Sequence, residues 1–141
     1  MELRVYTNVM PIEIQNIDHV NVETEDIERS ATFYRKVIGL KEGPRPDFDR
    51  PGYWMYAKDK PVVHIISTHP DNEMLTGSKD ASISHFALQI KDYDATRAHL
   101  DSLNIPYETN QVENNEIRQI FLEDPEGVLI ELVQLPNGAR A

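Results

Sequence analysis

The chain contains no cysteine, which at one stroke removes disulfides, thiolate nucleophiles, zinc fingers and iron–sulfur clusters. Any metal it holds must rest on imidazole and carboxylate. Long apolar runs are missing too, and the longest are only a few residues, too short to span a bilayer. The first residues, MELRVYTNVMPIEIQN, lack the basic-then-apolar layout of a secretion signal, so a cytoplasmic location is expected. Positive charge is scarce: 14 Lys and Arg stand against 24 Asp and Glu, for a net charge of −10. Such a field repels nucleic acid and anionic membranes, and no basic run offsets it locally. The six glycines form neither GxxxxGK[ST] nor GxGxxG, and GxSxG and HExxH are absent as well. Nucleotide chemistry, a serine-hydrolase elbow and a zincin helix are therefore not expected.

What is present is a globular composition, 40% hydrophobic and 27% charged over 141 residues, long enough for one sizeable core. Its most informative stretch is IFLEDPEGVLIEL, residues 120–132. Proline presets one turn torsion in Asp124-Pro125-Glu126-Gly127 and glycine accepts a positive φ, so the flanks pair as an antiparallel hairpin. The second strand is apolar except at Glu131. A carboxylate in a buried strand costs several kcal/mol unless paired or metal-bound. Something must neutralise Glu131.

In chain order, residues 1–16 alternate weakly and read as an arm or an extra edge strand. Ile17–Glu23 reads as a strand. A helix follows, capped by Asp26, with Ile27, Ala31, Tyr34 and Ile38 at helical spacing and Gly39 as the stop. A short strand near Leu40–Glu42, a proline-rich loop Gly43–Gly52, a strand Tyr53–Ala57, a turn and a strand Val62–Ser67 complete the first half. After a polar loop, Thr68–Asp80, the pattern restarts: strand Ile83–Ile90, a helix from Asp94 to about Leu103, a strand near Pro106–Thr109, and the hairpin. His19 returns as His85 and Asp26 as Asp92 at an offset of 66; His64 meets Glu131 at 67. Self-similarity of this period marks a duplicated unit. The expected fold is α+β: two βαβββ modules, residues 17–67 and 82–134, forming an open, partly closed mixed β-barrel with helices outside, followed by a tail, 135–141.

Within each module the first and last strands carry one ligand-type residue at the same place: His19 and His64, then His85 and Glu131. A single imidazole on an apolar strand is usually a hydrogen-bonded core residue, but four such groups at repeat-related positions point to a divalent metal (Fe, Ni, Zn, Co or Mn). Three imidazoles and a carboxylate suit such an ion, whose charge neutralises Glu131. A pseudo-twofold between the modules would bring the four together.

The segments IDHVNVETEDIERSATFYRKVIGL, ISHFALQI and FLEDPEGVLIELV resemble, over residues 17–134, the vicinal oxygen chelate superfamily: glyoxalase I, methylmalonyl-CoA epimerase, extradiol dioxygenases and the fosfomycin- and bleomycin-resistance proteins. The resemblance implies paired βαβββ modules around a metal, with ligands at His19, His85 and Glu131, and a homodimer. At the fourth-strand position glyoxalase I typically has Glu and the epimerase Gln; here it is His64, a fourth ligand or a base beside a three-ligand ion. The implied activity is lyase or isomerase chemistry on a small substrate chelated through vicinal oxygens, with Glu131 or His64 moving the proton. The alternatives are an Fe(II) extradiol-type dioxygenase and a non-catalytic drug-binding protein. Trp54 and Tyr56 are candidate pocket walls. Arg45, Arg50 and Arg118 are expected to pair with surface acids; the other role open to them is a clamp on a substrate carboxylate, for which Arg118 is the leading candidate.

Overall fold

The computed structural model describes residues 12–68, 82–112 and 116–136. Among these residues, eight strands and two α-helices alternate in the duplicated order. The first module runs β1 (Val20–Thr24), α1 (Ile27–Phe33) continuing as a π-helical turn (Tyr34–Ile38), β2 (Lys41–Gly43), β3 (Gly52–Ala57) and β4 (Lys60–Ser67). The second runs β5 (Phe86–Gln89), α2 (Tyr93–Ser102), β6 (Glu108–Val112), β7 (Ile117–Glu123) and β8 (Leu129–Gln134). Each module forms its own four-stranded mixed sheet with the same order, β1-β4-β3-β2 and β5-β8-β7-β6. In both, the first strand lies parallel to the last and the others pair antiparallel. The fold is α+β, and the two sheets are not closed into one barrel.

Short-range chemistry explains the helix boundaries. Asp26 accepts a hydrogen bond from the Arg29 amide at 3.0 Å, and Asp92 one from the Ala95 amide at 2.9 Å, each satisfying a first-turn donor. The second cap is thus Asp92 rather than Asp94, so the 66-residue offset from Asp26 is kept. Both Gly39 and Leu40 donate to the Tyr34 carbonyl, and Gly39 takes a φ of 92°, open to glycine, where the helix ends.

Alternation along the strands sorts their side chains. Val22, Met55, Val63 and Ile65 in one sheet, and Ile120, Leu122, Ile130 and Leu132 in the other, are buried with Tyr34, Tyr93 and Leu100 in one core. The hairpin turn of the second module closes the join. Its Asp124 carboxylate accepts the Glu126 and Val128 amides at 2.8 and 2.9 Å and the buried Tyr34 hydroxyl at 2.8 Å. Glu126 accepts from Thr24 and from Arg29, both at 2.6 Å. On the other side His99 meets the Lys36 and Val37 carbonyls at 3.1 and 3.0 Å.

Two strands begin later than the sequence pattern indicates. β1 starts at Val20 and β5 at Phe86, so His19 and His85 sit just before their strands instead of within them. Residues 12–16 are exposed and not in a strand; the rest of the expected arm, and most of the loop after Thr68, lie outside the described residues. Among the described residues no helix is long and apolar enough to cross a membrane.

Candidate metal centre

The first module stacks three rings on the face of its sheet away from the core. Asn21, His64 and Trp54 are cross-strand neighbours, which places their side chains on one face. His64 lies between two partners: its ring is 3.7 Å from that of His19 and 4.2 Å from that of Trp54, each pair within 12° of parallel. Asp18 Oδ2 lies 2.6 Å from His19 Nδ1, and the carboxyl, held below its usual range chiefly by this hydrogen bond, accepts the ring proton. That fixes the tautomer and leaves Nε2 of His19 with its lone pair. In His64, Nε2 is buried without a partner. Burial, then the neighbouring His19, lowers the His64 pKa, so its imidazole is neutral at neutral pH.

The second module presents an imidazole and an acid. Glu131 is only 8% exposed. Its Oε1 lies 3.2 Å from His85 Nε2 and accepts a hydrogen bond from Gln119 Nε2, also at 3.2 Å. Nδ1 of His85 lies 2.7 Å from the Ser84 hydroxyl, which turns Nε2 toward the acid. Phe121, opposite Glu131 in the register, meets the His85 ring edge-on at 5.7 Å.

The structure therefore brings the four sequence-predicted donors together in two pairs. Among the described residues, no group of three or more His, Asp or Glu is arranged to hold a metal ion, so the convergence expected from the pseudo-twofold is not reached in one chain. The donor chemistry nevertheless fits a divalent cation. Two imidazoles offer bare Nε2 atoms, one of them an orphan in a buried position, and a buried carboxylate lies beside a third imidazole.

Other predicted contacts separate. Trp54 lines a cleft of about 470 Å³ with His19, His64 and Phe48. Tyr56 instead donates to the Pro44 carbonyl and serves the β2–β3 join. Arg118 is paired with Gln134, three residues along from the Phe121–Glu131 pair, and so points to the opposite face from Glu131. There it stacks 3.9 Å from the Tyr93 ring and reaches Asp94 at 3.3 Å. The residues that sequence reasoning undervalued are Arg45 and Arg50. Both line the same cleft, and neither is paired with an acid among the described residues.

Residues 16–132 match the family profile described as the Glyoxalase/Bleomycin resistance protein/Dioxygenase superfamily. A protein of Arabidopsis thaliana called Glyoxylase I 4 is 24% identical over 125 residues, covering 86% of this chain and 72% of its own. A lactoylglutathione lyase of Pseudomonas putida is 22% identical over 144 residues, covering 83% of each. Among solved structures, a glyoxalase family protein of Bacillus anthracis superposes with a TM-score of 0.70 at 25% identity, over 90% of this chain and all of that one.

Proposed function

The chain belongs to the Glyoxalase/Bleomycin resistance protein/Dioxygenase superfamily, and from that premise we propose that it is a divalent-metal-dependent enzyme whose site is completed between two copies of the chain. The observation that carries this reading is the matched pair of half-sites, His19 with His64 and His85 with Glu131, each short of a full ligand set. His19 and His64 of one chain would hold the ion together with His85 and Glu131 of the partner subunit. Ile17 and Ile83, repeat-related and each two residues before a ligand histidine, are 89% and 91% exposed. A second copy docked over both half-sites would bury these two side chains.

When bound, the metal supplies Lewis-acid polarisation of two neighbouring substrate oxygens. The remaining work falls to the chain. Asp18 holds the His19 ring in the ligating tautomer, and Gln119 orients the Glu131 carboxylate. Trp54 and Phe48 wall the cleft beside the two histidines and offer aromatic faces to the substrate. Glu131 on partial release from the ion, or His64 where the other three donors hold the ion and leave its Nε2 free, accepts the proton taken from the reacting carbon and returns it elsewhere, an isomerase- or lyase-type transfer. A base of this kind works best when neutral or ionised as required near the operating pH, and burial keeps His64 neutral.

The test is metal analysis of protein purified without chelator or nickel resin, followed by anaerobic reconstitution with Fe(II), Ni(II), Co(II) or Zn(II). Activity is then assayed on lactoylglutathione, the substrate named for the Pseudomonas putida relative, and on catechols with oxygen uptake followed. Metal-dependent turnover without oxygen consumption supports the proposal. Oxygen uptake with Fe(II) would make the protein a dioxygenase, and ligand binding unaffected by His19→Ala and His85→Ala would make it a non-catalytic binding protein.

A further inference from the structure

The loop between β2 and β3 carries two guanidinium groups that its own architecture leaves unspent. Arg45 Nη2 donates to the Arg50 carbonyl at 2.9 Å, and Arg50 donates to the Ser67 carbonyl, so both side chains are pinned by main chain. The Nε atoms of both are buried without a partner. Gly52 makes this packing possible: a Cβ there would lie 2.2 Å from the Ile65 carbonyl oxygen and 3.1 Å from Arg45 Nη2. The Arg45 guanidinium also sits 4.9 Å from the centre of the Phe48 ring. In a chain of net charge −10, neither arginine lies within ion-pair distance of an acid among the described residues, although Asp49 borders the same cleft. Two pinned, half-buried cations with no acid within ion-pair distance among the described residues, beside aromatic walls, are a preorganised receptor for an anion.

We propose that Arg45 and Arg50 form an oxyanion subsite that takes a carboxylate or phosphoryl group of a small molecule whose planar part lies against Trp54 and Phe48. This rests on the reading of the cleft as the substrate site, and it restricts that substrate to an organic anion. The cleft volume, about 470 Å³, suits a molecule of that size.

Trp54 is the chain's only tryptophan, so its fluorescence reports on the cleft alone. Chelator-treated full-length protein is titrated with benzoate, phenyl phosphate and the uncharged benzamide, at low and high salt. Benzoate or phenyl phosphate should quench with an affinity at least about tenfold above that of benzamide, and only the anions should weaken with salt. Whichever anion binds more tightly identifies the group. Arg45→Met and Arg50→Met should each abolish the preference for the anion while leaving benzamide quenching unchanged, which shows that the cleft still stands. Arg45→Lys and Arg50→Lys keep the charge and the stem and should fall between. Equal affinity for benzoate, phenyl phosphate and benzamide in the unsubstituted protein, or anion binding untouched by the Met variants, would overturn the subsite. Metal uptake measured on the same samples separates the two ideas: uptake without anion preference leaves the metal reading intact, and anion preference without uptake leaves the subsite alone.

Discussion

The two modules share a strand order, a register and a pair of Asp helix caps, yet they satisfy their ligand-type residues in opposite ways. In the first, His64 is sandwiched between His19 and Trp54 with a buried nitrogen that bonds to nothing. In the second, Glu131 is already held by His85 and Gln119. One half waits for a partner and the other has an internal substitute. The two backbones match because both sheets pack on one core, whereas the polar positions on their outward faces carry different side chains with different partners. The same division appears in the turns: Asp124 and Glu126 clasp the second hairpin to α1, while the Lys58–Asp59 turn of the first module lies exposed.

The largest effects should come where the modules are alike. Ile65→Ala and Leu132→Ala, at equivalent buried places on β4 and β8, should each cost about 2–5 kcal/mol in chemical denaturation. A difference larger than that range would break the equivalence of the two cores. The turns should then differ sharply. Asp124→Ala removes the acceptor of two amides and a buried hydroxyl and should cost about 3 kcal/mol, whereas Asp59→Ala should stay within about 0.5 kcal/mol.

Smaller effects should differ in sign between the half-sites. In metal-free protein, His64→Phe replaces an unsatisfied ring nitrogen and keeps the stack, so it should stabilise by about 1 kcal/mol while weakening metal uptake. Gln119→Leu, which strips a donor from Glu131, should destabilise by about 1 kcal/mol.

The smallest concerns pH. Thr24 first, and then Arg29, hold the Glu126 carboxyl below its ordinary 4.5. A folded value depressed below the unfolded one adds stability that is present above about pH 4.5 and is lost as pH falls through the folded value. Glu126→Gln should therefore lower the melting temperature slightly at pH 7, and the difference from the unsubstituted protein should shrink below pH 4.5.

Much of this was legible in the sequence because it is carried by spacing. The offset that pairs His19 with His85, the Asp26 cap, and the Asp-Pro-Glu-Gly turn are local or periodic signals. So was the oddity of Glu131, an acid in an apolar strand. Long-range pairing was not legible. Nothing near Glu126 in the sequence points to Thr24 or Arg29, roughly a hundred residues away. Arg118 and Glu131 lie on the same hairpin, but the register of the pairing decides which face each takes, and it sends Arg118 to Tyr93. Arg45 and Arg50 were expected to meet surface acids, since composition counts charges without placing them. Nor could the strand pattern show that His19 and His85 stand just ahead of β1 and β5, where backbone pairing has not yet begun.

The most direct test of a site shared between chains mixes two inactive proteins. One carries His19→Ala with His64→Ala, the other His85→Ala with Glu131→Ala, and each alone should bind no metal. Refolded together, they form mixed dimers in which one intact first module meets one intact second module, so metal binding should return at one site per mixed dimer. If the mixture binds no more metal than its components while the unsubstituted protein loads fully, the two half-sites do not meet across chains.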